Sequence, residues 1–560
     1  MKPPIPVYVL SGVADFRPPK VWEKAASPGD LLEEYWETGK LESLYGESLL
    51  WRGFEKLVAE AASDQVDLGR TRSINIGVSY PRQLAQMSED EIVEDFLRRL
   101  CKSPQRKLFN NLPEIRFTPT HAASSSGMVP FNDAVADILV RGEETSIVVT
   151  SGNTKGTNRN RPRIGTDDTT EIFSSLISPF DRKYTGANML KLGAVALGEA
   201  CQDYDVNLLE ALEKLAYDQR LFTHQLATQN LSTAHVTTHP DKIKDQTVFY
   251  PVKLLSIAPQ SLGYAGLILS RKPPNRGRAV RVVGLGSGVD ATSIRDRKSH
   301  LFSRAMESSV IMGLRQAKIT DSSDLKILEV HNPFPGVSLT ELGIMLEFIG
   351  YQGNLSYSIL HGDIGVKGKL IEIGRSGGAM SGHAITPTFI RLVFEASKGL
   401  LGTGGYSGPE IAENRVAYAG VSSVGGHHTF DGYLFLAGGK TENVAKANSD
   451  LAPFDHDSLN RIIDRDLRHQ ANLTAAEIPD NMTVAFISFR ESRLGREYFG
   501  IARAPDGRDF PFSASQPLFE RLDSARSDGY PIRLSPTLHA IEDWKQVKLQ
   551  PQSFMPARVV

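Results

Sequence analysis

Cysteine is almost missing from this chain: Cys101 and Cys201 are its only two among 560 residues. Two thiols build neither a disulfide framework nor a cysteine-based metal site, and they fit a reducing cytosol. Long apolar runs are missing too. No stretch reaches the roughly 18 apolar residues of a spanning helix, and Met1-Lys2-Pro3-Pro4 opens without the apolar segment of a secretory signal. Neither charge dominates: 63 Lys and Arg face 65 Asp and Glu, leaving a formal net charge of −2. That balance gives no electrostatic case for a nucleic-acid or membrane partner. A soluble cytoplasmic protein with no metal, no nucleic-acid partner and no membrane span is the expectation.

What is present is ordinary globular material, 41% hydrophobic and 23% charged, in a length that suggests roughly two to four domains. The chain is organised around residues 121–153. Small residues, His121-Ala122-Ala123-Ser124-Ser125-Ser126-Gly127, form a tight turn ahead of a helix. Val129, Ala134, Ala136, Ile138 and Leu139 then recur at helical spacing, with Asp133 and Asp137 on other faces. Arg141-Gly142-Glu143 stops the helix, and Ser146 to Thr150 reads as a buried strand. A turn of small residues before a buried helix can aim one side chain and free backbone N–H groups at a substrate.

Around this stretch, Pro6 to Gly12 and Arg72 to Ser79 read as strands, and Leu49 to Ala62 as a helix. Residues 15–48 look like a surface elaboration. Residues 88–101 form an amphipathic helix with Ser88 and Glu91 as a capping box, its apolar face ending at Cys101, read as packing. Residues 152–182 lack periodicity, and Arg159, Arg161 and Arg163 there suit an anionic group or a solvated loop. Residues 186–232 read as helical throughout. His235 and His239 are four apart, but Thr237, Thr238 and Pro240 argue against a helix, so a metal site is rejected. Residues 248–271 are strand-like and 272–278 a linker. A strand then carries Gly284, Gly286 and Gly288, but Val289 holds the place of the third fingerprint glycine, which argues against a nucleotide site.

Further on, His300 to Ala317 reads as a helix, and the strand Leu325 to Val330 runs into His331-Asn332-Pro333-Phe334 and another helix. A glycine-rich block, Gly374 to His383, follows, then a strand, turn and strand from Arg415 to Leu436 that carry His427 and His428. Beyond Leu451 a charged helix over 458–473 precedes alternating runs in 481–503, and Asp506-Gly507 marks a hairpin in a short all-β module.

Several of these motifs resemble the thiolase superfamily. Ser124-Ser125-Ser126-Gly127 stands where its members carry Cys-x-Ser-Gly at the start of a buried helix, with Ser124 in the nucleophile's place. Glu329-Val330-His331-Asn332-Pro333-Phe334 and the helix through Glu341 and Glu347 to Gly350 resemble the sterol-carrier-type thiolases, which read His-Asp-x-Phe. Gly374 to His383 resembles the Gly-Gly…Gly-His segment, although Ala384 replaces the usual proline and the spacing is one residue shorter. His427 and His428 fall near the second catalytic cysteine of other thiolases, and no cysteine occurs there. Leu262-Gly263-Tyr264-Ala265 departs from the family's Asp-Gly-Ala-Ala.

The resemblance covers roughly residues 5–440 in pattern and implies an α/β fold of two duplicated βαβαβαββ halves in five layers, α-β-α-β-α. Residues 1–272 would be the N-terminal half, with a helical loop domain over about 153–247. Residues 273–450 would be the C-terminal half and 451–560 an added β domain of OB type, read as docking or covering the active site. The implied site has Ser124, His331, Asn332, His383, His427 and His428 as catalytic candidates, with Arg159, Arg161, Ser376, Gly377 and Gly378 binding coenzyme A. A CoA thioester would be the substrate, no cofactor would be covalently bound, and the chain would form a homodimer. The leading function is acyl transfer, or carbon–carbon bond formation or cleavage, on an acyl-CoA without the usual cysteine, as in an acetyl-CoA acetyltransferase. A serine hydroxyl in that place needs an adjacent base and an oxyanion hole. Retro-aldol cleavage of a β-hydroxyacyl-CoA is the alternative, since it requires only a base and stabilisation of a thioester enolate. A non-catalytic scaffold that binds acyl-CoA or a partner is the third reading.

Overall fold

A computed structural model describes residues 5–17, 47–78, 88–118, 122–153, 176–203, 205, 207–229, 231, 233–234, 238–259, 261–275, 277–319, 322–404, 415–474, 479, 482–492, 495–514 and 531–532. His121, Arg159, Arg161, Arg163 and the 15–48 elaboration beyond Arg17 fall outside these residues, apart from the start of the first helix.

The strands are β1 (Val7–Arg17), β2 (Thr71–Val78), β3 (Glu114–Phe117), β4 (Thr145–Asn153), a small hairpin of β5 (Thr247–Phe249) and β6 (Val252–Lys253), and β7 (Leu262–Ser270). In the second half they are β8 (Arg278–Val289), β9 (Leu325–Glu329), β10 (Ile364–Gly365), β11 (Ile371–Ile373), β12 (Ala417–Gly425) and β13 (Phe430–Lys440). Eleven of them join in the order β10-β11-β9-β12-β13-β8-β1-β7-β4-β2-β3. The seam is short: Val7, Tyr8 and Val9 of β1 face Val282, Arg281 and Val280 of β8.

Outward from that seam the two halves repeat each other. β1-β7-β4 are antiparallel neighbours and β4-β2-β3 parallel ones. β8-β13-β12 are likewise antiparallel and β12-β9-β11 parallel. The duplication that leaves no clean repeat in the residues is plain in the connectivity.

Five layers follow from which faces are apolar. The helices Met128–Leu139 and Thr386–Leu401 lie in the middle, in one core with residues from both half-sheets, including Val148 and Leu267 on one side and Leu285 and Leu434 on the other. Outside the first half-sheet, Glu47–Ser63 and Glu89–Lys102 bury Phe54, Leu57, Ile92 and Phe96. Outside the second, Arg304–Ala317 and Pro335–Phe348 bury Met306, Val310, Leu342 and Met345. Ser88 and Glu91 cap their helix reciprocally as expected. Cys101 departs from expectation and is exposed, because the buried stripe Ile92, Phe96 and Leu100 ends one residue earlier, about 100° around the helix.

The alternate glycines of β8 have a packing explanation. A Cβ at Gly284, Gly286 or Gly288 would come within 2.1, 1.9 or 2.3 Å of the carbonyl oxygens of Gly313, Ser309 and Ala305. They let the helix Arg304–Ala317 lie directly on the strand. Within the first half, between β4 and β7, the chain forms the helices Pro179–Thr185, Met189–Asp203 and Leu208–Thr228 as an insertion. After the helix His456–Ala471, β14 (Met482–Ser492), β15 (Gly495–Arg503), β16 (Asp509–Ala514) and β17 (Pro531–Ile532) form an antiparallel sheet in the order β16-β15-β14-β17. Its β15–β16 turn holds Gly507 at φ 85°, as Asp506-Gly507 predicts.

Candidate active site

Ser124 belongs to a tight 3-10 turn, Ala123–Gly127, that feeds directly into the central helix Met128–Leu139. Ala123 takes φ 45°, a left-handed conformation that costs a residue with a Cβ about 1 kcal/mol or more and here aims the next side chain. Gly127 is needed because a Cβ there would stand 2.0 Å from the Thr386 carbonyl oxygen of the other central helix. The neighbouring hydroxyls are committed to the backbone: Ser125 donates to the Phe430 carbonyl at 3.1 Å and Ser126 to the Ala123 carbonyl at 2.5 Å. Ser124 Oγ instead lies 3.2 Å from His383 Nε2.

His383 ends a loop folded around left-handed glycines: Gly374, Gly377 and Gly378 have φ of 57°, 81° and 54°. A Cβ on Gly378 would stand 1.9 Å from Asn332 Oδ1, and one on Gly377 2.4 Å from Thr223 Oγ1. From below, the fully buried Arg391 donates to the Gly378 and Ser376 carbonyls and to Ser381 Oγ. Glu329 accepts from both the N–H and the hydroxyl of Ser376. Ser376, Gly377 and Gly378, expected to meet coenzyme A, are thus buried and internally braced. His383 Nδ1 is 3.1 Å from Thr388 Oγ1, which also accepts from the Ala384 N–H. Burial, and secondarily the Arg391 guanidinium, bring the His383 pKa down to about 3. The ring is neutral throughout the ordinary pH range.

His331 lies beyond the end of β9, its ring centroid 5.0 Å from that of His383. Both its ring nitrogens are buried and have no hydrogen-bond partner, and burial holds its pKa well below the usual histidine value. Its backbone N–H donates to Ser422 Oγ, which donates in turn to Glu341. Asn332 faces the other way: its Oδ1 accepts from the Ala379 N–H and its Nδ2 donates to Gln219 of the insertion. It fastens the glycine loop to the insertion.

The β12–β13 turn brings the last two candidates. His428 sits at φ 56°, and its Nδ1 is 2.9 Å from Asp431 Oδ2, an oxygen that also accepts from Ser303 Oγ. His428 Nε2 is buried without a partner. A charge on either His428 or His383 acts on His331. The His427 ring stands 5.8 Å from that of His428 and lies against the His300 main chain, and its carbonyl accepts from Arg297 at 2.5 Å.

Ser124, His383 and His331 therefore converge, with His428 near enough for its charge to act on His331, whereas Asn332 braces through its side chain and His427 through its carbonyl. Asp431, Thr388 and Arg391 complete the site and were not singled out in the sequence. Only Asp431 left a legible signal, as an acid three residues after a histidine at the start of a strand. Among the described residues no His/Cys/Asp/Glu cluster could hold a metal ion.

No family profile matches the chain, and no curated protein matches its sequence. Solved structures do match. A monomeric SCP2-thiolase-like protein type 1 from Mycobacterium smegmatis is 12% identical with a TM-score of 0.60, over 99% of this chain and 100% of that one. The dimeric peroxisomal thiolase of Saccharomyces cerevisiae is 12% identical with a TM-score of 0.50, over 78% of this chain and 98% of that one. The Ltp2-ChsH2(DUF35) aldolase is also 12% identical, with a TM-score of 0.49, over 78% of this chain and 98% of that one. The chain has a thiolase-like fold.

Proposed function

We propose that this chain cleaves or forms a carbon–carbon bond beside the carbonyl of an acyl-CoA thioester, acting as a retro-aldolase on a β-hydroxyacyl-CoA without an acyl-enzyme. The observation that carries this reading is the burial of His383 with its ring 5.0 Å from the equally buried His331. For Ser124 to attack a thioester, its proton would have to pass to an imidazole whose pKa is about 3, a cost of roughly 5 kcal/mol at neutral pH. A neutral imidazole is instead a good hydrogen-bond donor to the oxygen of a developing enolate, and His331 and His383 supply two side by side. His428 is the one histidine of the four-residue cluster seen against a carboxylate, and Asp431 fixes its proton on Nδ1, leaving Nε2 as a base.

The step then balances. His428 Nε2 takes the proton of the β-hydroxyl, and the electrons of the cleaved carbon–carbon bond pass to the α-carbon. The β-carbon leaves as an aldehyde or ketone, the enolate oxygen is held by His331 and His383, and the α-carbon regains a proton to give a shorter acyl-CoA. Arg159 and Arg161 are proposed to meet the CoA phosphates, the C-terminal sheet to be of OB type and to cover the site, and a homodimer to form through the central sheets.

A second reading, acyl transfer on Ser124, rests on the 3.2 Å contact to His383 and the position ahead of a helix N-terminus. The purified chain should be offered a panel of β-hydroxyacyl- and β-ketoacyl-CoA thioesters. A carbonyl product and shortened acyl-CoA, formed without added CoA, support the proposal. Thiolysis dependent on added CoA supports the second reading. No turnover, with CoA ligands still raising the melting temperature, would leave a binding scaffold and overturn both.

A further inference from the structure

The C-terminal sheet is not laid loosely on the thiolase-like body. The Tyr250 N–H donates to the Phe489 carbonyl at 2.8 Å, and Gly198 lies where a Cβ would stand 2.1 Å from the Phe486 ring. At the middle of this contact His300 is enclosed between two acids from different elements. Its Nε2 is 2.5 Å from Glu199 of the helix Met189–Asp203, and its Nδ1 is 2.8 Å from Asp509 of β16. Arg503 of β15 reaches both carboxylates, at 2.8 Å to Asp509 and 3.0 Å to Glu199. Three residues before His300, Arg297 donates to the His427 carbonyl and to Thr429 Oγ1, on either side of His428.

We infer that His300 is a positioning residue: clamped between Glu199 and Asp509, it joins the C-terminal sheet and the helical insertion to the turn that holds His427 and His428. The protein would thus carry its own positioning module in one chain. The groups facing His300 are Glu199, Asp509 and Arg503, with His427 beside its main chain and Arg297 on its own segment. The two acids raise the His300 pKa to about 9 against the opposing effect of burial. The stabilisation from the charged clamp is therefore fully present below the unfolded histidine value of about 6.5 and is lost as pH rises through about 9.

The inference concerns the turn used by the proposed reaction, but its test needs no turnover. Hydrogen–deuterium exchange of the full chain would be followed in peptides covering 482–514, 424–431 and, as control, 145–153. Asp509→Asn should speed exchange in the first two on the order of tenfold, the loss of one charge-assisted hydrogen bond, and leave the third unchanged. Asp509→Glu should restore protection. In the wild type, raising pH from 7 to 10 should loosen the same two segments after correction for intrinsic exchange, and His300→Gln should abolish that difference. Should Asp509→Asn fail to fold, Glu199→Gln tests the other arm of the clamp. Loosening of 482–514 with 424–431 unchanged would overturn the inference, as would protection of both segments that is indifferent to the substitutions and to pH.

Discussion

Replacing Asp431 with Asn exchanges one carboxylate oxygen for an amide nitrogen at a position with no exposure to solvent. In the native pair Asp431 Oδ2 accepts from Ser303 Oγ and from His428 Nδ1, both at 2.9 Å, so the imidazole proton sits on Nδ1 and Nε2 is a base. Because both partners meet that one oxygen, an asparagine that turns its NH₂ to the same place donates to Ser303 Oγ and to His428 Nδ1 together. The imidazole must then accept at Nδ1 and carry its proton on Nε2, the tautomer that cannot take a proton from substrate. Stability should fall by only about 1–2 kcal/mol, the difference between charged and neutral hydrogen bonds at a buried site. The kcat should fall on the order of 10³-fold, with KM nearly unchanged, because the pair acts only once charge moves. Steady-state kinetics on the substrate found in the thioester panel, with a urea melt of the same preparation, separates the two effects. A variant that folds and keeps kcat within fivefold would refute the assignment of His428 as base.

Other consequences follow from the same geometry. Gly286→Ala should destabilise the chain by about 3 kcal/mol in urea titration, since its Cβ would meet a helix carbonyl oxygen at 1.9 Å rather than a movable side chain. A nucleotide-binding role for that glycine predicts lost ligand binding at unchanged stability. Burial, aided by the charge of Glu395, raises Glu329 to about 7 from the ordinary 4.5. Its proton therefore stabilises the fold below about pH 4.5, and this contribution of about 3 kcal/mol is lost as pH rises through 7. Glu329→Gln should flatten that share of the difference between urea stabilities at pH 5 and pH 8; an unchanged difference would contradict the assignment.

The fold was legible where local chemistry and burial agree. The capping box at Ser88 and Glu91, the alternation before Asp506-Gly507 and the apolar faces of the central helices all name their own structure. The glycines of β8 were legible as an anomaly but not as helix packing, because their partner carbonyls come from residues 305–313, in the helix that folds back onto the strand. The site was half legible. Ser124, His331, His383 and His428 stood out as polar residues in apolar or glycine-rich surroundings, where burial is costly without a use. What each does depends on partners brought from elsewhere by the fold: Thr388 and Arg391 from the central helix, Gln219 from the insertion, Asp431 from the next strand. Asn332 and His427 had the same signature in the sequence, and only the structure shows that Asn332 braces through its side chain and His427 through its carbonyl. Cys101 was misread for a simpler reason, one residue of helical rotation.

In the proposed reaction Ser124 is not a nucleophile and the neutral histidines act instead. Ser124→Ala and the wild type should be incubated with a β-hydroxyacyl-CoA, quenched during turnover and read by intact-mass spectrometry, with the small products followed by chromatography. Neither protein should carry an acyl adduct, and both should give a carbonyl product and shortened acyl-CoA at rates within about tenfold, the cost of one lost neutral hydrogen bond. An acyl adduct on the wild type that disappears in Ser124→Ala together with turnover would contradict the proposed reaction.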